Sequence, residues 1–200
     1  RANFPGYTAP GSNAMNLNLA GLPDFITEST NNVQPPTWLV NNPGTRVKAR
    51  DNYQVSDYLI EWQTDWVKRF GVDGFRVDTV KHVEGEVWSA LKSQANLSLE
   101  RWRSEHNINS ELPFWMIGEV WAHPATRSFY YDQGFDGLIN FDMQRDIDFG
   151  AACFSSMEKS YAQYSQTMQQ HPDFNPVSYI SSHDTELFFS RYRSTAMQKQ

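Results

Sequence analysis

The stretch Gly74-Phe75-Arg76-Val77-Asp78-Thr79-Val80-Lys81-His82 decides how the chain is read. Its first five residues alternate, Phe75 and Val77 on one side and Arg76 and Asp78 on the other, which is the period of a short strand. Upstream, Leu59, Trp62, Trp66 and Phe70 recur at three- and four-residue steps, predicting a helix capped by Ser56 and stopped at Gly71. Downstream, a second helix is expected from about Glu86 to Glu105, with Val87, Trp88, Leu91, Ala95 and Leu99 as its buried stripe. Phe114 to Glu119 reads as the next strand and Gly137 to Phe141 as a third. A helical region with Phe154, Met157, Tyr161 and Tyr164 follows, then a last strand over Val177 to Ser182 and a closing helix near Glu186. Four strands alternating with helices argue for an α/β fold of parallel β-α units, as an open doubly wound sheet or as part of a barrel. No Gly-x-Gly-x-x-Gly turn follows any strand, which argues against a dinucleotide-binding sheet.

Residues 1–55 have a different texture. Pro10-Gly11, Pro35-Pro36 and Asn41-Asn42-Pro43-Gly44 punctuate them as turns, so they are expected to form a loop-rich segment ahead of the regular units at 56–200. Composition narrows the classes further. With 40% hydrophobic residues, the chain has the material for a packed core. Its 23 acidic against 17 basic residues give a net charge of -6, so the body-wide basic footprint of a nucleic-acid binder is missing. No apolar run approaches the roughly 20 residues that cross a bilayer. Cys153, the single cysteine, rules out an internal disulfide framework.

Acidic residues stand at the carboxyl ends of three of the four strands: Asp78, Glu119 and Asp184. One such residue is commonly a helix cap, but three, each beside Arg, His or Trp, point to a shared site. In a β/α barrel, catalytic groups sit at that end of the strands. Arg76 shares a strand face with Asp78 and favours its ionised form. Trp115 and Ile117 share a face with Glu119 and disfavour charge there.

Gly74 to His82, together with Gly118-Glu119-Val120-Trp121 and Ser181-Ser182-His183-Asp184, resembles in order three signature segments of the α-amylase family of retaining glycoside hydrolases. Leu22-Pro23-Asp24-Phe25 resembles the extra motif found before them, and the likeness is strongest to bacterial periplasmic members. The resemblance implies a partial (β/α)8 TIM barrel, about strands 4 to 7 with their helices, preceded by an insertion segment over residues 1–55. It implies endo-hydrolysis of α-1,4-glucans such as starch, glycogen or maltodextrins through a covalent glycosyl-enzyme intermediate. Asp78 would be the nucleophile, Glu119 the general acid/base and Asp184 the carboxylate that distorts substrate. Arg76 and His183 would bind or hold groups at the cleavage point, and Lys81 and His82 would contact the leaving-side sugar. Asp24 and the main-chain carbonyl of His82 would be ligands of a structural calcium, and the location would be periplasmic. The same resemblance leaves open a glucanotransferase, because acceptor choice lies in loops outside the motifs, and a non-catalytic sugar-binding or ancillary relative. The family's first signature segment is absent. The chain is therefore expected to be the central piece of a longer enzyme, poorly folded and inactive alone, since a part-barrel leaves sheet edges unpaired.

Overall fold

A computed structural model describes residues 25–143 and 153–191. Asp24 and the side chains of Cys153 and Phe154 lie outside the described residues. The strands β1 (Gly74–Val77), β2 (Trp115–Gly118), β3 (Gly137–Asn140) and β4 (Pro176–Ser178) lie in one sheet in the order β1-β2-β3-β4. Ile117 pairs with Gly137 and Gly118 with Leu138, while Leu138, Ile139 and Asn140 pair with Pro176, Val177 and Ser178, all in parallel. Chain order equals spatial order and a helix stands between successive strands, which is the arrangement of successive β/α units in a barrel wall. The chain divides into two compact units, Arg1–Phe75 with Lys81–Trp115, and Arg76–Val80 with Met116–Gln200.

In the first unit, α1 (Thr37–Val40) is the one regular element described between Phe25 and Gln54. The long helices α2 (Val55–Phe70) and α3 (Gly85–Glu105) pack together. Helix α2 begins earlier than expected. Its cap is Gln54, whose N–H donates to Asp57 Oδ2 at 2.9 Å, and Ser56 is buried inside the first turn. The acceptor three residues on, rather than the serine hydroxyl, satisfies the open end.

The expected stripe of α2 is also corrected. Tyr58, Thr64 and Val67 turn inward, whereas Trp66 and Phe70 are 56% and 52% exposed, with ring centroids 5.6 Å apart. The reason is polar satisfaction on the inner side. The Tyr58 hydroxyl accepts from the Arg50 N–H at 2.8 Å and donates to the Arg50 carbonyl at 3.1 Å, which ties the preceding loop to the helix. Thr64 donates to the Ile60 carbonyl at 2.8 Å, so a hydroxyl can occupy a core position. Gly71 ends the helix as expected, with φ of 64° and its N–H on the Val67 carbonyl at 2.9 Å. A Cβ there would lie 2.4 Å from the Trp102 ring.

Helix α3 buries Trp88, Leu91, Ala95 and Leu99 as expected, while Val87 is half-buried. Arg103 is buried too. It donates to Asp73 Oδ1 at 2.7 Å and to the Leu112 carbonyl, so the charge keeps partners inside the unit.

The second unit holds β3 and β4 with α4 (Phe129–Asp132), α5 (Cys153–Gln170) and α6 (Phe188–Arg191). Ala125, Met143, Tyr164 and Phe188 form a buried cluster with Met157 against it, while Tyr161 of α5 is exposed. All four strands are shorter than expected, β1 and β2 ending one residue before Asp78 and Glu119. β3 stops at Asn140, whose carbonyl side-chain oxygen accepts the N–H groups of Asp142 at 3.1 Å and Met143 at 3.2 Å and turns the chain. β4 stops at Ser178, and α6 starts at Phe188 rather than near Glu186, its N–H held by Ser181 Oγ at 3.1 Å.

Candidate active site

Backbone pairing sets Asp78 and Glu119 side by side. The Glu119 N–H donates to the Val77 carbonyl at 2.8 Å, and the Glu119 carbonyl accepts from the Val80 N–H at 3.0 Å. Both main-chain groups of Glu119 are thereby fastened to the segment that carries Asp78. Gly118 permits the close packing just before it, since a Cβ there would come within 2.8 Å of Phe135 and 2.9 Å of Leu138. Thr79 then holds a left-handed backbone, φ 50°, which costs a β-branched residue free energy. In that conformation its N–H donates to Glu119 Oε2 at 2.9 Å. Strain at this point aims a donor into the site.

The two carboxyl groups are within hydrogen-bond reach of each other, and their titrations are driven apart. Asp78 falls below the usual carboxylate range, first through the hydrogen bond with Glu119, and then through Arg76, whose Nη1 lies 2.9 Å from Asp78 Oδ2. Arg76 thus acts as expected from the strand alternation but is not the largest cause. Glu119, 6% exposed, is pushed up, first by burial and further by Asp78, against the downward pull of the Thr79 N–H. Of the two, Glu119 is the group that keeps its proton to higher pH and Asp78 the one that ionises first.

A cavity of about 220 Å³ in the second unit opens beside this pair, with Arg76, Glu119, Phe141, Tyr179, His183 and Asp184 in its lining. His183 Nε2 lies 3.1 Å from Asp184 Oδ2, with the imidazole 82% exposed. The Asp184 N–H is held by Ser182 Oγ at 3.2 Å, and Ser182 Oγ is 3.1 Å from Thr185 Oγ1. Arg76, Glu119, His183 and Asp184 thus share one cavity, and Asp78 is joined to it through Arg76 and Glu119. Lys81 and His82 lie on the helical turn Val80–His82 of the first unit, outside this lining; His82 is buried.

Three contributors were not legible as site residues. The Thr79 backbone acts through a dihedral no sequence pattern announces. Phe141 and Tyr179 follow the last residues of β3 and β4, and their rings meet edge to face at 5.9 Å; Trp121 meets Phe141 at 5.1 Å. An aromatic just beyond a strand was the available signal, hidden because both strands were read as longer.

A calcium ion would need several oxygen ligands. Among the described residues no group of three His, Cys, Asp or Glu could hold a metal, and Asp24 lies outside them. The residues in view do not make up such a site by themselves. No helix among the described residues is long and apolar enough to cross a membrane.

Comparison with known proteins bears on this geometry. A profile of the α-amylase catalytic domain matches residues 49–200. The periplasmic alpha-amylase of Escherichia coli is 41% identical over 190 residues, 94% of this chain and 28% of that protein. A cyclomaltodextrinase of Thermoanaerobacter pseudethanolicus is 28% identical over 143 residues, 70% of this chain and 22% of its own. Among solved structures, an Anoxybacillus alpha-amylase superposes with a TM-score of 0.50 at 24% identity, over 71% of this chain and 29% of that one, a likeness of fold. The chain spans less than a third of the length of these relatives. With a parallel β/α sheet carrying paired carboxyl groups at its strand ends and a catalytic-domain profile covering most of its length, the chain belongs to the α-amylase family.

Proposed function

We propose that the protein carrying this chain hydrolyses α-1,4-glucosidic bonds of starch, glycogen or maltodextrins with retention of configuration. The observation that carries this reading is the Asp78–Glu119 pair, neighbouring carboxyl groups whose titrations are shifted in opposite directions, Asp78 down and Glu119 up. Cleaving a glycosidic bond needs both forms at once. Retaining enzymes keep their carboxyl groups about 5–5.5 Å apart, whereas inverting ones leave about 6.5–9.5 Å for a water. Asp78 and Glu119, on backbone segments joined by two hydrogen bonds, leave little room for an intervening water, which favours direct attack. Asp78 attacks the anomeric carbon as Glu119 protonates the departing oxygen. Glu119 then takes a proton from the water that releases the sugar from Asp78. Asp184, across the cavity, holds and distorts the ring together with His183, and Arg76 keeps Asp78 charged. Lys81 and His82 contact the leaving-side sugar by resemblance.

The remaining assignments rest on the same resemblance: residues 1–55 as a loop-rich insertion of the catalytic domain, a periplasmic location, and a structural calcium with Asp24 and the His82 carbonyl among its ligands. Chelation should lower the melting temperature of the complete protein, and added calcium should restore it; an unchanged melting curve removes the calcium assignment. The isolated 200-residue chain is expected to release no sugar, because among the described residues β1 and β4 have neighbours on one side only. For the central reading, Asp78→Asn in the complete protein should lower kcat at least a hundredfold, about 2.7 kcal/mol of transition-state stabilisation, while maltoheptaose still binds. Near-normal turnover in that variant discards the nucleophile. Product chromatography on maltoheptaose separates hydrolysis from glucanotransfer.

A further inference from the structure

Alternation along β3 and β4 separates two faces of the sheet. Ile139 and Phe141, with Val177 and Tyr179, line the cavity that holds Glu119 and Asp184, so Leu138, Asn140 and Ser178 fall on the other face. Leu138 is buried there, and beside it Asn140, only 1% exposed, is an amide where an apolar side chain is the usual occupant. Both polar atoms of that amide are engaged. Its Nδ2 donates to the Tyr164 hydroxyl of α5 at 2.9 Å and to Ser178 Oγ, its register partner on β4, at 3.1 Å. Its Oδ1 accepts the N–H groups of Asp142 and Met143, and Asp142 Oδ2 takes the Ala125 N–H at 2.9 Å. One side chain thus fastens the carboxyl ends of β3 and β4 to each other and to α5. A polar network satisfied in this way selects a single arrangement, whereas an apolar residue fills the space without fixing the offset of the strands.

We propose that Asn140 is a positioning residue for substrate binding: by locking the ends of β3 and β4 it sets the Phe141 and Tyr179 rings as the wall against which a sugar ring packs, in the cavity shared with Glu119 and Asp184. This inference rests on the hydrolase reading above and adds to it a residue that touches no sugar itself. Phe141 lies between Asn140 and Asp142, both anchored, and Tyr179 directly follows Ser178. The two rings meet edge to face at 5.9 Å, and Trp121 meets Phe141 at 5.1 Å. At about 220 Å³ the cavity is smaller than the roughly 300–1,000 Å³ of most ligand pockets, so it takes one small ring. The fit is therefore sensitive to position. A gap of about 0.5–1 Å between packed atoms forfeits roughly a quarter to a half of their attraction.

The test uses Asn140→Leu and Ser178→Ala in the complete protein, with kcat and KM on maltoheptaose and the melting temperature measured beside the parent. Asn140→Leu removes all four bonds with a side chain of the same branching. Ser178→Ala cuts only the tie between the strands, at an exposed position. Lost stability by itself lowers the melting temperature and the apparent kcat but leaves the KM of the folded molecules in place. The expected result is a KM about tenfold higher in Asn140→Leu and about twofold or more higher in Ser178→Ala, a loss of binding rather than of chemistry. A KM less than about twofold above the parent's in either variant overturns the proposal and leaves Asn140 a structural tie; should Asn140→Leu not fold, Ser178→Ala decides alone. If the parent itself releases no sugar, the hydrolase reading fails and takes this inference with it; an active parent whose variants keep its KM sinks the inference alone.

Discussion

Replacing Arg76 with methionine tests the electrostatic division of labour in the carboxyl pair. The guanidinium Nη1 sits 2.9 Å from Asp78 Oδ2, and the two side chains are 40% and 66% exposed. At roughly 4 Å between charge centres, the attraction is about 1 kcal/mol in bulk water and about 4 kcal/mol at an effective dielectric of 20. The exposure places this pair toward the watery limit, so about 1–2 kcal/mol is the appropriate range. Since 1.36 kcal/mol is one pH unit, the Asp78 pKa should rise by about one. Asp78 must be ionised to attack, so raising its pKa removes activity from the acid side. The acid limb of kcat/KM against pH, measured on a chromogenic maltooligosaccharide in the complete protein, should move up by about one unit in Arg76→Met. It should not move further, because the hydrogen bond from Glu119, the larger cause of the depression, is still present. An acid limb within about 0.3 unit of the parent would refute this account of Arg76. A shift well beyond two units would mean that the Glu119 bond carries little.

Glu119→Gln should lower turnover of starch by about 10²–10⁴, the usual weight of a general acid. The loss in forming the glycosyl-enzyme should be far smaller for aryl glycosides, whose leaving groups need little protonation. The alkaline limb of the pH profile should also vanish, because it reports the burial-raised Glu119 losing its proton as pH rises. Gly71→Ala should destabilise the protein by about 2–4 kcal/mol, combining a left-handed φ with overpacking against Trp102, and urea denaturation midpoints would show it. A change under 0.5 kcal/mol would mean that the Trp102 ring moves aside freely.

The alternation of Phe75, Arg76, Val77 and Asp78 was enough to place Arg76 beside Asp78, because a two-residue period leaves one side chain on each face and no further choice. Gly71 as a helix stop and the core face of α3 followed equally from local rules, a left-handed cap and a 3.6-residue period. The inner face of α2 did not. Tyr58 and Thr64 won it from Trp66 and Phe70 through hydrogen bonds to Arg50 and Ile60 that a hydrophobicity count ignores.

What the amino-acid order settled by itself was the strand–helix rhythm, the three carboxylates at strand ends and the family they resemble, since each depends on residues near in sequence. What only the folded chain decided was which of these groups come together: Asp78 beside Glu119, the Thr79 N–H turned onto Glu119, and Arg76, Glu119 and Asp184 around one cavity. Those relations join residues 40 or more positions apart, or rest on one backbone dihedral. Strand register and a strained turn fix them, and neither is a property of any short stretch of sequence.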